Sequence, residues 1–336
     1  MLTLPPLRYL AAREVQECLP SVEAAIELAG STLHGLSHGE AEMPPKLGVH
    51  PRPGALLHAM PAWLKSSDVV GMKWVSAFPN NRAAGLPAVH GLIVLNDPAT
   101  GAPTCVMDAA AITGARTAAV SGVAIKAFRP SSSTVAILGA GLQARTHLQV
   151  LRHLLAKPAL RIFDRHEERA GRLAGEALSA AGFASAVAVG SAEEAVRGTD
   201  LVISVAALGS MSQALPAGCV EDDALVVAVD FATYVPADLA RSAARFVVDD
   251  ISQFLAYRDA GDFEGYPDPD ASLGQFVGPV AGFELDGTLA PPPAAPHPRK
   301  QHVVVTHLGL GLLDVAFAHA VLQRAEAEGM GRMLER

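Results

Sequence analysis

Cysteine is scarce in this 336-residue chain: Cys18, Cys105 and Cys219 are odd in number and far apart. That excludes a disulfide framework and a zinc-type ligand spacing, and it suits a reducing compartment, so a cytoplasmic location is expected. A basic block is missing as well. Lys and Arg number 26 against 34 Asp and Glu, a net charge of −8, which argues against nucleic acid or an anionic membrane as a partner. No apolar run approaches the roughly 20 residues of a membrane-spanning helix. Residues 1–15 lack the charged segment and apolar core of an export signal. Internal repeats are absent too. The chain is nevertheless 50% hydrophobic, enough for a sizeable core, and its length suits two domains.

The most telling stretch is 131–154. Residues 135–138 form an apolar run that predicts a strand, followed by Gly139-Ala140-Gly141-Leu142-Gln143-Ala144 and then helical periodicity through Leu148, Leu151 and Leu154. Strand, glycine turn and helix is the setting in which such a motif binds a dinucleotide. Gly139 permits the tight turn, Gly141 lets backbone approach a pyrophosphate, and Ala144 lets the helix pack on the sheet. Leu142 and Gln143 lie in the first turn, where free N–H groups face the anion. Further strands are expected at 160–163, 184–189, 201–205, 225–229, 246–248 and 302–306, with helices at 167–181, 191–198 and 312–328. Alternation of this kind predicts an α/β fold, a Rossmann-type parallel sheet with crossover helices. The proline-rich 290–298 reads as a surface loop.

Cofactor choice turns on two neighbours. Asp164, 25 residues after Gly139, stands where an acid grips the ribose 2′-hydroxyl of NAD, whereas Arg165 suits the 2′-phosphate of NADP. NAD(H) is favoured, NADP(H) stays open, and capping of the next helix is the plain alternative for both residues.

The first 130 residues read differently. A helix is expected over 22–28 with Ser21 as N-cap, strands over 88–95 and 103–107 around a turn at 96–101, and a helix over 113–128. Arg116 then falls in the first turn of that last helix, where a cation opposes the dipole by about 0.3–1 kcal/mol. Either an anion binds there or Arg116 pairs with Asp108. Lys73 interrupts an apolar, strand-like run at 71–81. Lysine is rarely buried without a partner, so Lys73 is either a solvated edge residue or a functional ammonium. Lys46, after Met43-Pro44-Pro45, is less distinctive alone.

The order of these pieces carries more than any one of them. Met43-Pro44-Pro45-Lys46, Met60-Pro61, Gly71-Met72-Lys73, Pro79-Asn80-Asn81, Gly85-Leu86-Pro87, Asp97 with Thr100-Gly101, and 113–120 precede the glycine motif. With Gly309-Leu310-Gly311-Leu312-Leu313-Asp314 at the end, the chain resembles the ornithine cyclodeaminase/mu-crystallin family over most of its length. The resemblance implies NAD(P) chemistry on small α-amino or α-imino acids and a homodimer. It implies a Rossmann domain, 130–305, inserted in an α+β substrate and dimerisation domain, 1–129 and 306–336. It also implies that Lys73 and Arg116 clamp the substrate carboxylate. Lys46 stands where the family usually has Arg, and so lacks the bidentate fork. Three cations from separate segments suit an anionic small substrate in an acidic protein.

One departure bears on the reaction. Where cyclodeaminases of the family carry a proton-handling acid after the fifth strand, this chain has Ala232. Asp230, two residues earlier, reads either as a displaced general acid or as a turn residue. His307, after the returning strand, falls where the family often has a polar residue near nicotinamide and could orient the cofactor or shuttle a proton, with core or turn packing as the plain alternative. His34 and His38 have i,i+4 spacing, but Gly35 and Gly39 argue against a rigid pair and no third ligand appears, so no metal is expected. The expected reaction is NAD(P)H-dependent reduction of a small α-imino acid, cyclic ones included, with Lys73, Asp230 or water supplying the proton. The alternatives are the redox-neutral cyclodeaminase and a non-catalytic cofactor-binding protein.

Overall fold

A computed structural model describes residues 5–206, 212–216, 218–278 and 302–336. The proline-rich 290–298 lies outside them. In chain order the elements are β1 (Leu7–Leu10), α1 (Ala12–Glu17), α2 (Val22–Ser37), β2 (Ala41–Glu42), β3 (Leu47–Arg52), β4 (Ala55–Leu64) and β5 (Val69–Ala77). Then come β6 (Val89–Asn96), β7 (Pro103–Asp108), α3 (Ala110–Phe128), β8 (Thr134–Leu138), α4 (Leu142–Leu154), β9 (Ala159–Phe163) and α5 (Glu167–Ser179). They are followed by β10 (Ser185–Ala188), α6 (Ala192–Val196), β11 (Leu201–Ser204), β12 (Leu225–Ala228), α7 (Ala237–Ser242) and β13 (Arg245–Val248). Last are α8 (Ile251–Asp259), β14 (Ala271–Ser272), β15 (Val303–Thr306), α9 (Gly311–Ala327) and β16 (Arg332–Leu334). The chain divides into two compact units, Met1–Arg116 with Gly309–Arg336, and Thr117–Leu308.

The first unit is built on a sheet ordered β16-β1-β7-β6-β5-β4-β2, with β3 also on β4. Its centre is the antiparallel run β4–β5–β6–β7. The turn between β6 and β7 closes because the Asp97 carboxylate accepts from Thr100 N–H (2.7 Å) and its hydroxyl (2.6 Å). Gly101 then supplies a positive φ of 73°. Helix α9 packs on β4, β5 and β6. Its first eight residues, Gly311–Ala318, are all buried, as a helix apolar on every side must be. Asp314 is the one charged residue among them.

Two local readings change. Ser21 caps α2 as expected, accepting from Ala24 N–H at 3.2 Å. The helix however runs through Gly35 to Ser37, and the His34 and His38 rings stack 4.1 Å apart. Helix α3 starts three residues before the expected 113, because the Asp108 carboxylate accepts from Ala110 N–H (2.8 Å) and so caps it. Arg116 thus lies in the second turn, and Asp108 is engaged in the cap.

The second unit is the parallel α/β layer. Its sheet order is β10-β9-β8-β11-β12-β15-β13-β14, and each adjacent pair is parallel. Strands β11 and β12 are buried at every position, which is why they read as unbroken apolar runs rather than alternating ones. The chain leaves β8 for β9 and β10 on one side, then returns to β11 on the other. The strand order therefore reverses between β8 and β11, the point at whose carboxyl ends such sheets bind ligands.

Candidate functional site

In the first unit, Lys73 sits midway along β5 with Met60 of β4 opposite on one side and Ile93 of β6 on the other. It is a central-strand residue, 1% exposed, and the edge-residue reading fails. Its Nζ lies 2.6 Å from Asp314 Oδ2, and Arg116 Nε donates to Asp314 Oδ1 at 3.1 Å. One buried carboxylate thus joins the two cations expected from sequence. The triad carries one net positive charge in an interior that opposes unbalanced charge.

Two glycines make room for it. Gly309 has φ +82°, and a Cβ there would collide with the Arg116 guanidinium. A Cβ on Gly311 would lie 2.6 Å from the Met60 carbonyl oxygen, so only glycine lets α9 begin against β4. Burial lowers the Lys73 ammonium to about 8 and Arg116 adds to that, while Asp314 works in the opposite sense. His58 of β4 is lowered to about 4, first by burial, then by Lys46, His50 and Lys73. Lys46, half-buried, therefore belongs to the same positive field. Asp314 is the site residue that sequence reasoning passed over, although it ends a quoted motif. A charge amid an apolar helix face was the available signal.

In the second unit, Gly139 has φ +105° and a Cβ on it would lie 2.8 Å from the Val205 carbonyl oxygen, so the turn after β8 requires glycine. Gly141 is the N-cap of α4 and makes no side-chain cap. A Cβ on it would meet nothing within 4 Å among the described residues, which leaves the backbone open to a ligand. Ala144 is fully buried, and Leu142 is exposed. Gln143 Oε1 is a buried acceptor without a hydrogen-bond partner among the described residues. Thr306 Oγ1, at the carboxyl end of β15, is another. Orphaned buried polar atoms at the ligand end of such a sheet fit a bound dinucleotide.

Asp164 braces the glycine turn. Its Oδ2 accepts from Ala140 N–H and its Oδ1 from His166 N–H, each at 2.9 Å. A carboxylate has about four lone-pair sites, so both oxygens keep capacity for ribose hydroxyls. Arg165 is exposed. Asp230 is 2% exposed. It accepts from the Ser204 hydroxyl, from Ala206 N–H (3.2 Å) and from Thr233 N–H (3.2 Å). Burial pushes its carboxyl up, against those three hydrogen bonds. It ties together the loops that follow β11 and β12. Ala232 is buried with a left-handed φ of +51°.

His307 belongs to a buried chain of hydrogen bonds. His147 Nδ1 lies 2.6 Å from the Gln143 carbonyl oxygen, His147 Nε2 lies 2.8 Å from Ser121 Oγ, and Ser121 Oγ lies 2.9 Å from His307 Nε2. Burial holds His147 down at about 4, hence neutral. A carbonyl only accepts, so His147 Nδ1 carries the proton and its Nε2 accepts from Ser121. Ser121 has then spent its proton and must accept from His307 Nε2–H. Among the described residues no group of three His, Cys, Asp or Glu side chains is gathered as for a metal ion. No helix among them is long and apolar enough to cross a membrane.

Comparisons with known proteins bear on the family and the fold. The family model described as ornithine cyclodeaminase/mu-crystallin family matches residues 9–265. The nodulation efficiency protein NfeD of Rhizobium meliloti is 33% identical, over 98% of this chain and 99% of that protein. A solved archaeal alanine dehydrogenase dimer with bound NAD has 27% identity and a TM-score of 0.81, covering 98% of this chain and 99% of that one. The Δ1-pyrroline-2-carboxylate reductase of Thermococcus litoralis, solved with NADH and L-proline, has 25% identity and a TM-score of 0.78, over 97% and 99%.

Proposed function

The chain belongs to the ornithine cyclodeaminase/mu-crystallin family, and on that premise we propose that it is an NAD(P)H-dependent reductase of a small α-imino acid, yielding the amino acid. The observation that carries this reading is the buried Lys73–Asp314–Arg116 triad with its one net positive charge. A substrate carboxylate brings that charge to zero. Arg116 spends Nε on Asp314, which leaves its two terminal nitrogens to grip a carboxylate end-on. Lys73 keeps two further protons, and Lys46 strengthens the positive field.

Gly139, Gly141, Leu142, Gln143 and Ala144 would hold the cofactor pyrophosphate, and Asp164 its ribose, with Arg165 beside it. His307, with its tautomer set by Ser121 and His147, would meet the nicotinamide end. When bound, the nicotinamide supplies the hydride equivalent that reduces the C=N carbon. The protein holds the substrate by its carboxylate, and positioning of this kind supplies much of the rate. It must also give one proton to the nitrogen. Lys73, with its ammonium lowered to about 8, releases a proton more readily than an ordinary lysine and takes it back from water.

Ala232 leaves the cyclodeaminase acid position without a proton-handling group. Asp230, engaged by three donors, supports bracing over proton transfer. The outer face of the first unit's sheet supports a homodimer. It exposes Trp74 directly opposite Leu92, with Leu47 and Trp63 nearby on the same sheet, an apolar patch of the kind that marks an interface. The scarcity of cysteine supports a cytoplasmic location. The reading is tested by supplying Δ1-pyrroline-2-carboxylate with NADH or NADPH beside ornithine with NAD. Cofactor consumption by the imine, with no ammonia or proline from ornithine, is the expected result. Proline and ammonia without net NADH would overturn it.

A further inference from the structure

We propose that Asp314 is a positioning residue that fixes Lys73 and Arg116 as one carboxylate clamp and keeps Lys73 protonated for the reaction. This rests on the reading of those two cations as the substrate clamp.

The placement is specific. Asp314 is 0% exposed, and each of its oxygens serves a different cation, Oδ2 facing Lys73 Nζ and Oδ1 facing Arg116 Nε. A planar carboxylate therefore sets the spacing of two side chains that come from a strand and a helix far apart in sequence. The helix that carries it is itself pinned. Gly311 lets the start of α9 lie against the Met60 carbonyl, and Met60 is the residue paired with Lys73 across β4 and β5. Gly309 clears the path of the Arg116 guanidinium. The glycines of the 309–314 motif thus bring one acid over two bases.

Charge points the same way. Among the described residues Asp314 is the carboxylate paired with both Lys73 and Arg116, and without it the two would face each other as buried cations. Burial and Arg116 already favour the neutral amine of Lys73, and Asp314 is what opposes them. An opposite charge at this distance holds an ionised group by about 1–3 pH units. Removing it would leave Lys73 at least half neutral at pH 7, short of both a charge for a carboxylate and a proton for a nitrogen.

The chain has six lysines, so lysine-selective ¹³C labelling lets Lys73 be titrated directly by NMR, with Lys73→Arg fixing its assignment. In the wild type its midpoint is expected at about 8. In Asp314→Asn it is expected to fall by about 1–3 units, and the alkaline limb of kcat/KM is expected to move with it. A purely structural role would lower Tm and leave both midpoints in place, and that result would overturn the proposal. Asp314→Glu keeps the charge and shifts its position. It should hold the Lys73 midpoint within about half a unit and lower kcat/KM by more than tenfold, and wild-type kcat/KM there would also overturn the proposal. Should the NMR midpoint move while the kinetic limb stays, the hold of Asp314 on Lys73 stands and the assignment of Lys73 to the reaction falls.

Discussion

Replacing Arg116 by lysine keeps the charge of the triad and removes the fork. Arginine donates through Nε to Asp314 and has its terminal nitrogens left for a substrate. A lysine ammonium at the same place can approach Asp314 or the substrate, but it does not reproduce both planar contacts. Alanine goes further and leaves Asp314 paired with Lys73 alone, so the net charge that attracts a carboxylate disappears. Truncating one partner of a buried, hydrogen-bonded charge pair costs about 2–5 kcal/mol. With 1.4 kcal/mol per factor of ten, kcat/KM should fall roughly 30- to 4,000-fold, lysine near the lower figure and alanine near the upper. The assay is NADH oxidation by Δ1-pyrroline-2-carboxylate, with NADH affinity followed separately by fluorescence. NADH affinity should stay within about twofold of wild type, because Arg116 and the glycine turn belong to different units. Arg116→Lys turnover within threefold of wild type would refute the fork argument.

Other outcomes follow from the same geometry. Lys73 must be an ammonium to grip a carboxylate and give a proton, so kcat/KM should decline above a midpoint of about 8 as the ammonium is lost. A bound carboxylate favours the ammonium, so the limb in kcat should lie at higher pH, and Lys73→Arg should erase both limbs. Gly141→Ala meets no atom of the described residues within 4 Å and should keep Tm while weakening NADH binding at least tenfold. Gly139→Ala combines a left-handed φ with a clash on the Val205 carbonyl. It should cost about 1–3 kcal/mol, a fall of a few degrees or more in Tm; equal Tm values for the two variants would contradict the assigned roles. Trp74→Asp, on the exposed face of β5, should shift sedimentation towards monomer, and an unchanged profile would remove that face from the interface.

The second unit was the more legible from sequence. Its central parallel strands β8, β11 and β12 are buried on both faces and so appear as short apolar runs, and Ser191 announces α6 by accepting from Glu194 N–H. The first unit hid more. Strand β3 is exposed at every position and β4 mixes buried with half-buried residues, so neither shows a clear period of two. The start of α3 depended on Asp108 reaching forward to Ala110, a cap that lies just ahead of the expected helix. The partner of Arg116 lies 198 residues away, where no local pattern reports it. The edge-residue alternative for Lys73 stayed open because a buried lysine is intelligible only once its carboxylate is seen. The cations were readable as a set from their motifs, whereas the acid that joins them became visible only when α9 was laid on β4–β6.

The central claim is that the reacting imine is held by its carboxylate. The most direct measurement compares kcat/KM for Δ1-pyrroline-2-carboxylate with that for Δ1-pyrroline, the same ring without the carboxylate, under saturating NADH. Turnover of the carboxylate at least about a thousandfold more efficient, with the difference largely abolished in Arg116→Ala, is the result this account expects. Comparable efficiency for the two rings would contradict it.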